Sequence, residues 1–173
     1  MSSFSSTTPE IDPLEIRRAA PEDAARLTVI ARAAKAHWGY PAAWLTTWEP
    51  VLTITPDYVG RAIVFVGTRG GAPIGFYALE PREDRWSLEH MWIEPGEHRR
   101  GAGRRLFTHA LDTIRELRPG VLIIEADPFA AGFYVRMGAR QTGTVAAPAE
   151  GAPNRLLPVF QIDVSTLRLE RPG

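Results

Sequence analysis

The feature that most restricts the fold is a strand–loop–helix–strand pattern between residues 85 and 127. "RWSLEHMWIEP" has the composition of a strand and ends at a proline, whereas "GRRLFTHALDTIRELRPG" repeats apolar residues at helical spacing. "VLIIEAD" follows as a continuous apolar run, which is typical of a strand buried on both faces. A helix between two strands predicts an α/β domain.

The flanking segments extend this pattern. "LEIRRAA" predicts a first strand, "PEDAARLTVIARAAKAHW" a helix that begins near Pro21, and "AAWLTTWEP" a second short helix. "AIVFVGTRGGAPIGFYALE" reads as two strands joined by a hairpin turn. "FAAGFYVRMG" predicts a short helix, and "QTGTVA" and "LPVFQIDV" predict late strands on either side of an irregular loop. We therefore expect one domain with a mixed sheet.

Length and charge narrow the possible functions. The 173 residues suit one domain with a real core. Lys plus Arg and Asp plus Glu both number 20, so the formal net charge is zero. A general polyanion binder usually has a basic excess. We therefore expect no nucleic-acid partner, and any anion site should be local.

Other compositional features bear on location and metals. The chain has no cysteine, which excludes disulfides and thiolate metal sites, and its four histidines lack ligand spacing, so no metal is expected. No apolar run approaches the roughly 18 residues that span a bilayer. The start "MSSFSSTTPE" lacks the parts of a signal peptide. We predict a cytoplasmic protein without a membrane partner, in which residues 1–13 are a disordered leader and residues 166–173 a C-terminal tail.

The loop "HRRGAGRR" at residues 98–105 combines bare backbone with dense positive charge. Gly101 and Gly103 allow close approach to the unpaired N–H groups of a helix start, which favour an anion. The nucleotide-triphosphate loop is absent, and the dinucleotide fingerprint would need a third glycine. A phosphate site is therefore one interpretation, and an arginine-rich helix cap bonded to nearby carboxylates is the structural alternative.

The segment "IEPGEHRRGAGRRL" resembles the acetyl-coenzyme A pyrophosphate motif of the GNAT superfamily of N-acetyltransferases. His98 stands where glutamine or arginine is usual, and the backbone donors survive that change. "IRRAAPEDAARL", "EADPFAAGFYVRMGAR" and "GAPNRLLPVFQIDV" resemble the opening, the second half and the closing strand of the same superfamily. The resemblance covers residues 14–165, which we assign as the GNAT domain.

The resemblance implies a GNAT fold, with a central, mostly antiparallel sheet, two splayed parallel strands and flanking helices. It also implies acetyl-CoA as co-substrate, with backbone groups of Met91 and Ile93 along the pantetheine arm and the loop at the pyrophosphate. Phe129 stands where many members place an asparagine that touches the cofactor. The cofactor residues implied in this way are Met91, Ile93, His98, Arg99, Arg100, Gly101, Ala102, Gly103, Arg104 and Phe129.

The resemblance also suggests catalytic residues. It assigns Tyr134 as the acid for the leaving thiolate, and a phenol with a pKa of about 10 stays protonated at neutral pH. The alternative role for Tyr134 is an amphipathic core tyrosine. Glu89 is the first candidate for the base and His90 the second, although adjacent residues of a regular strand face opposite sides unless a bulge intervenes. Many relatives carry a glutamate where this chain has Ser87, and Glu80 is a weaker candidate.

The acceptor site is predicted in the segment "KAHWGYPAAWLTTW". Aromatic rings with a few polar groups suit a small-ligand pocket and can hold an ammonium by cation–π attraction. The alternative is that Trp44 and Trp48 pack the helices onto the sheet. The candidate acceptor residues are Lys35, His37, Trp38 and Tyr40.

The sequence leaves two functions open. The first is transfer of an acetyl group to a primary amine of a small molecule or an exposed amino group, by direct attack on the thioester. The second is a non-catalytic acyl-CoA-binding or sensor domain on the same fold. A homodimer is compatible with either function.

Overall fold

The computed structural model describes residues 13–166, so almost all of the expected leader and tail lie outside the described residues. The described part is a seven-stranded mixed sheet in the order β1-β2-β3-β4-β5-β7-β6. The strands are β1 (Glu15–Arg18), β2 (Ile63–Arg69), β3 (Ala72–Pro81), β4 (Trp86–Ile93), β5 (Val121–Glu125), β6 (Arg140–Ala146) and β7 (Leu156–Asp163). The helices are α1 (Ala24–His37), α2 (Ala42–Leu52), α3 (Pro56–Arg61), α4 (Ala102–Leu117) and α5 (Ala131–Arg136). The predicted fold class, an α/β mixed sheet, is confirmed.

Two apolar layers hold helices against the two faces of the sheet. On one face, Leu27 and Ile30 of α1 pack against Val64, Phe76 and Ala78 of β2 and β3. The other face packs on α4, where the predicted apolar stripe is buried as far as Ile114. Leu117, the last residue of α4 and the last apolar residue of the repeat in "GRRLFTHALDTIRELRPG", is 59% exposed.

The antiparallel order of the sheet changes at β4 and β5, which run parallel. They pair only at Trp86 with Leu122 and at Ser87 with Ile123, although β4 continues to Ile93. Within residues 13–166, the edge of β4 that faces β5 therefore has no strand partner beyond Ser87. The two strands separate and leave a cleft in the middle of the sheet.

A β-bulge interrupts β4 in front of this cleft. Leu79 of β3 pairs with Leu88, and the adjacent Ala78 pairs with His90. Glu89 is thus an extra residue without a partner on β3, and it disrupts the regular alternation of side chains. The intervening bulge that would let both predicted bases face one side is present.

Two local features differ from the sequence prediction. Helix α3 was not predicted, although Thr55 accepts a hydrogen bond from the Tyr58 N–H and Pro56 occupies the first turn, which together form an ordinary helix start. The prediction that β5 is buried on both faces is wrong. Only Leu122 and Ile124 are buried, because they face the layer under α4, whereas α1 packs on β3 and β4.

Candidate functional site: two adjoining cavities

The cleft between β4 and β5 encloses about 730 Å³. Met91 and Ile93 line it from β4, and Ile124 and Ala126 line it from the end of β5. The loop before α4 and helix α5 close its other sides, through residues such as Gly103 and Phe133. The cleft is therefore long, with the free edge of β4 along one wall and a helix start at one end.

The loop before α4 has a backbone shaped to receive a ligand. Gly101 is the N-cap of α4 with φ 82°, and Arg99 has φ 62°, which is a strained conformation for a residue with a side chain. Among the described residues no side chain caps α4, so the first-turn N–H groups of Ala102, Gly103 and Arg104 remain available. A Cβ at Gly103 would lie 3.5 Å from Phe133, so a larger side chain there would enter the cleft.

The structure separates the arginines of this loop into two groups. Arg99 and Arg104 line the cleft. Arg100 turns away and pairs with Glu97 at 2.8 Å, and the same carboxylate binds Arg69 at 2.8 Å. Arg100 is thus bonded to a nearby carboxylate, as the alternative interpretation of this loop expected. Arg99 and Arg104 supply positive charge to the cleft.

An aromatic wall forms the mouth of the cleft. Trp38 stacks on Phe129 with ring centroids 5.2 Å apart, and His98 contacts both Trp38 and His37. All four side chains line the cleft. The sequence-based prediction put His37 and Trp38 in the acceptor site, and the structure places them beside the loop instead.

Tyr134 lies deep in the cleft and is only 5% exposed. Its ring packs among Phe107, Phe133 and Phe160. Burial raises the pKa of the Tyr134 phenol, and the negative charge of Asp127 adds to the rise. The hydroxyl is therefore protonated well above neutral pH and can act as a hydrogen-bond donor in the cleft.

A second cavity of about 570 Å³ opens on the face of the sheet covered by α1–α3. Trp48, Tyr58 and Leu157 are among the residues that line it. Glu89 and Trp92 of β4 line both the second cavity and the cleft. The two cavities thus meet at the bulged end of β4.

Glu89 and His90 both line the second cavity, an arrangement that the bulge makes possible. The Glu89 carboxylate accepts a hydrogen bond from Arg82 at 2.7 Å, and Glu80 lies 3.2 Å from the same guanidinium. The buried Tyr58 hydroxyl has no hydrogen-bond partner within residues 13–166. Burial raises the pKa of Tyr58, and the carboxylates of Glu80 and Glu89 raise it further.

His90 differs from Glu89 in its electrostatics. Burial lowers the pKa of His90 to about 4, so the imidazole is neutral at physiological pH. Trp92 donates its indole N–H to His90 Nδ1 at 3.1 Å, which leaves the ring proton on Nε2. A neutral ring with its acceptor nitrogen already engaged is a poor proton acceptor.

A buried ion pair separates the two cavities. Lys35, which lines the second cavity, places its Nζ 2.5 Å from the Oδ2 of Asp127, which lines the cleft. Tyr40 donates to the other oxygen of Asp127 at 2.9 Å. Burial lowers the pKa of Lys35, and the nearby Arg155 also lowers it. Lys35 and Tyr40 are thereby committed to Asp127.

Arg155 completes an aromatic cluster beside this ion pair. Its guanidinium lies 5.0 Å from the Trp48 ring and 5.7 Å from the Tyr40 ring, and Lys35 Nζ lies 4.3 Å from the Trp48 ring. Cations of the chain itself therefore occupy the aromatic faces that the sequence suggested for a substrate ammonium. Trp44 and Trp48 pack edge to face in the same cluster.

Sequence reasoning did not single out Arg155, Asp127 or Tyr58. Arg155 is a lone arginine after a Pro/Gly/Ala-rich loop, and nothing local indicates its neighbours. Asp127 ends the predicted strand "VLIIEAD", and a carboxylate at that position was a signal that could have been used. Tyr58 belongs to the helix start at Thr55-Pro56, which the sequence analysis passed over.

Several solved structures share the fold of this chain. The chain is similar to PaiA N-acetyltransferase from Thermoplasma acidophilum in complex with coenzyme A, at 15% identity over 87% of this chain and 99% of that chain, with a TM-score of 0.70. The ribosomal-protein-S18-alanine N-acetyltransferase from Escherichia coli matches at 17% identity over 93% and 100%, with a TM-score of 0.68. A GNAT family acetyltransferase from Brucella melitensis in complex with acetyl-CoA matches at 17% identity over 88% of each chain, with a TM-score of 0.61. At these identities the likeness concerns the fold.

Sequence comparison identifies the family directly. No curated protein matches the chain. Within the part of the chain that the structure describes, no helix has the length and apolar character to cross a membrane. The model of the acetyltransferase (GNAT) family matches residues 30–139, well over half of the sequence. The chain therefore belongs to the GNAT acetyltransferase family, as the loop motif predicted.

Proposed function

We propose that the protein transfers an acetyl group from acetyl-CoA in the cleft to a primary amine that enters through the second cavity. The observation that carries this proposal is that the two cavities meet at Glu89 and Trp92. A thioester and an amine that approach from opposite sides of β4 would come together at this point. Direct transfer needs this arrangement, because the two reactants must touch without an enzyme nucleophile between them.

The cleft has the groups that acetyl-CoA requires. The unpaired N–H groups at the start of α4, together with Arg99 and Arg104, suit a pyrophosphate. In the described part of the chain, the edge of β4 beyond Ser87 has no strand partner, so its backbone groups near Met91 and Ile93 can bind the amides of the pantetheine arm. The Ile93 carbonyl oxygen already lies 3.2 Å from His98 Nε2. The stacked rings of Trp38 and Phe129 offer an apolar surface at the mouth.

Two side chains of the protein would move protons in this reaction. Glu89 accepts a proton from the incoming amine, directly or through one water molecule, because its carboxylate borders both cavities. Tyr134 donates a hydrogen bond to the departing sulfur, because burial keeps its phenol protonated. Acetyl-CoA supplies the activated acetyl thioester. His90 supports the acceptor side as a neutral group bonded to Trp92.

The test combines binding and turnover. Acetyl-CoA is titrated into the purified protein by calorimetry, and release of free thiol is then followed with a panel of primary amines. We expect saturable binding and thiol release that depends on the amine. Saturable binding with no amine-dependent release would favour the acyl-CoA sensor function, and a folded protein that does not bind acetyl-CoA at millimolar concentration would contradict both functions.

A further inference from the structure

The charges around the second cavity are unequal. Three cationic side chains line it, those of Lys35, Arg61 and Arg155, and one carboxylate, that of Glu89. Lys35 is already paired with Asp127, and Glu89 with Arg82. No carboxylate within residues 13–166 forms an ion pair with Arg61 or Arg155. The second cavity therefore offers unneutralised positive charge to whatever enters it.

Arg155 and Arg61 are placed differently. Arg61 is exposed and lies over the Tyr58 ring at the edge of the cavity. Arg155 is half-buried, and the rings of Trp44 and Trp48 pack around its guanidinium. The guanidinium donates a hydrogen bond to the carbonyl of Ala147 at 3.2 Å and also interacts with the Tyr40 hydroxyl. A guanidinium has five N–H donors in a rigid fork. Most donors of Arg155 therefore remain for a ligand, and the aromatic cluster holds them in place.

Near the bulge, the Glu89 carboxylate lines the cavity. The Tyr58 hydroxyl is buried and lies in the field of the Glu80 and Glu89 carboxylates. A primary amine can donate hydrogen bonds to the Glu89 carboxylate there. The apolar surfaces of Trp48, Trp92 and Leu157 lie in the same cavity. The cavity thus combines a carboxylate, apolar side chains and a guanidinium held among aromatic rings.

Resting on the function proposed above, we infer that the acceptor is a small amino acid-like molecule, in which a primary amine and a carboxylate belong to one compact apolar or aromatic body. The amine lies at Glu89 and the carboxylate binds Arg155. The volume of about 570 Å³ suits a ligand of this size. Polyamines are disfavoured, because their second ammonium would face Arg155.

The experiment compares three amines on the wild-type enzyme: phenylalanine, phenylalaninol, which replaces the carboxylate by a neutral alcohol, and phenethylamine, which lacks the group. Thiol release gives kcat/KM for each at saturating acetyl-CoA. We expect phenylalanine to exceed the other two by at least about tenfold, since a carboxylate on a guanidinium forms charge-assisted hydrogen bonds. Equal values for the three amines would overturn the inference and leave the transferase function intact. Thiol release from other amines of the panel that lack a carboxylate, with none from phenylalanine, would likewise overturn the inference and leave the transferase function intact, whereas no release with any amine of the panel would contradict the transferase function.

Variants locate the effect. Arg155→Gln removes the guanidinium, and we expect the ratio of kcat/KM for phenylalanine over phenylalaninol to fall toward one. Arg61→Gln removes the same charge from the edge of the same cavity and should retain most of that ratio. If Arg155→Gln fails to fold, Arg155→Lys keeps the charge without the fork and should lower the ratio in part. A ratio that stays the same in a folded Arg155 variant, or that falls equally in Arg61→Gln, would show that Arg155 does not bind the carboxylate.

Discussion

In the cleft, the groups that face a ligand are largely backbone: the free edge of β4 and the uncapped first turn of α4. In the second cavity they are side chains from segments far apart in sequence, such as Tyr58, Glu89 and Arg155. A backbone site is specified by a short motif, because glycines and a helix start lie next to each other in the chain. A side-chain site depends on which distant residues the fold brings together.

The largest expected effect is on the backbone site. Gly103→Trp places an indole where a Cβ would already contact Phe133, so it should fill the loop and lower acetyl-CoA affinity by about 1,000-fold or more, to below detection by calorimetry. Gly103→Ala is the control, because its methyl group would meet Phe133 at 3.5 Å, an ordinary contact distance. Tight binding by a folded Gly103→Trp protein would show that the ligand does not use this loop.

Substitution of Asp127 measures how much the Lys35–Asp127 ion pair between the two cavities contributes to stability. Asp127→Asn leaves the Lys35 ammonium buried without its charged partner and should lower the free energy of unfolding by about 3–5 kcal/mol. Chemical denaturation measures this loss. The double variant Lys35→Met/Asp127→Asn should recover part of it, since no unpaired charge remains. Asp163→Asn, at an exposed carboxylate, is the control. A loss below about 1 kcal/mol for Asp127→Asn would mean that the pair contributes little.

The lowered pKa of His90, in the second cavity, predicts how the stability of the protein depends on pH. Its folded-state pKa of about 4 lies below the ordinary value of 6.5, so between these pH values the unfolded chain binds more protons. The neutral His90 therefore makes its full contribution to the free energy of unfolding above pH 6.5. As the pH falls toward 4, the free energy of unfolding decreases by up to about 3 kcal/mol. Denaturation curves at several pH values, compared between the wild type and His90→Gln, isolate this contribution. Parallel curves for the two proteins would show that the His90 pKa is not depressed.

A comparison of Glu89 with Glu80, the two carboxylates that pair with Arg82, tests whether Glu89 is the general base. Glu89 and Glu80 share that guanidinium, but only Glu89 borders both cavities. We expect Glu89→Gln to lower kcat/KM by about 100-fold, because the amine loses its proton acceptor. Glu80→Gln should have a much smaller effect. Equal losses in the two variants would point to the charge of the pair rather than to a base.

The smallest expected effect concerns the acid. Tyr134→Phe removes only the hydroxyl, and a thiolate is a fair leaving group, so we expect kcat to fall by about tenfold with little change in the KM for acetyl-CoA. Tyr77→Phe is the matched control, because that buried hydroxyl bonds to His109 and Thr113, away from both cavities. An unchanged kcat in Tyr134→Phe would leave Tyr134 as a packing residue.

The sequence predicted the backbone site far better than the side-chain site. The order of strands and helices, the hairpin at Gly70-Gly71 and the loop at residues 98–105 all follow from local periodicity and glycine placement. The ion pair of Lys35 with Asp127 joins residues that are 92 positions apart, and no local pattern encodes such a pairing. The orientation of Trp38 toward the loop likewise depends on how α1 packs on the sheet.

The bulge at Glu89 has a consequence for how such a site can diversify. The side chains of the remaining β4 residues alternate between the two faces of the sheet, so each must be compatible with an apolar layer or with a cavity wall. Position 89 is an insertion in the pairing with β3 and is exempt from that rule. An exchange there would leave the register of the strand and both layers of packing as they are. The chemistry at the meeting point of the two cavities can therefore evolve independently of the sheet that carries it.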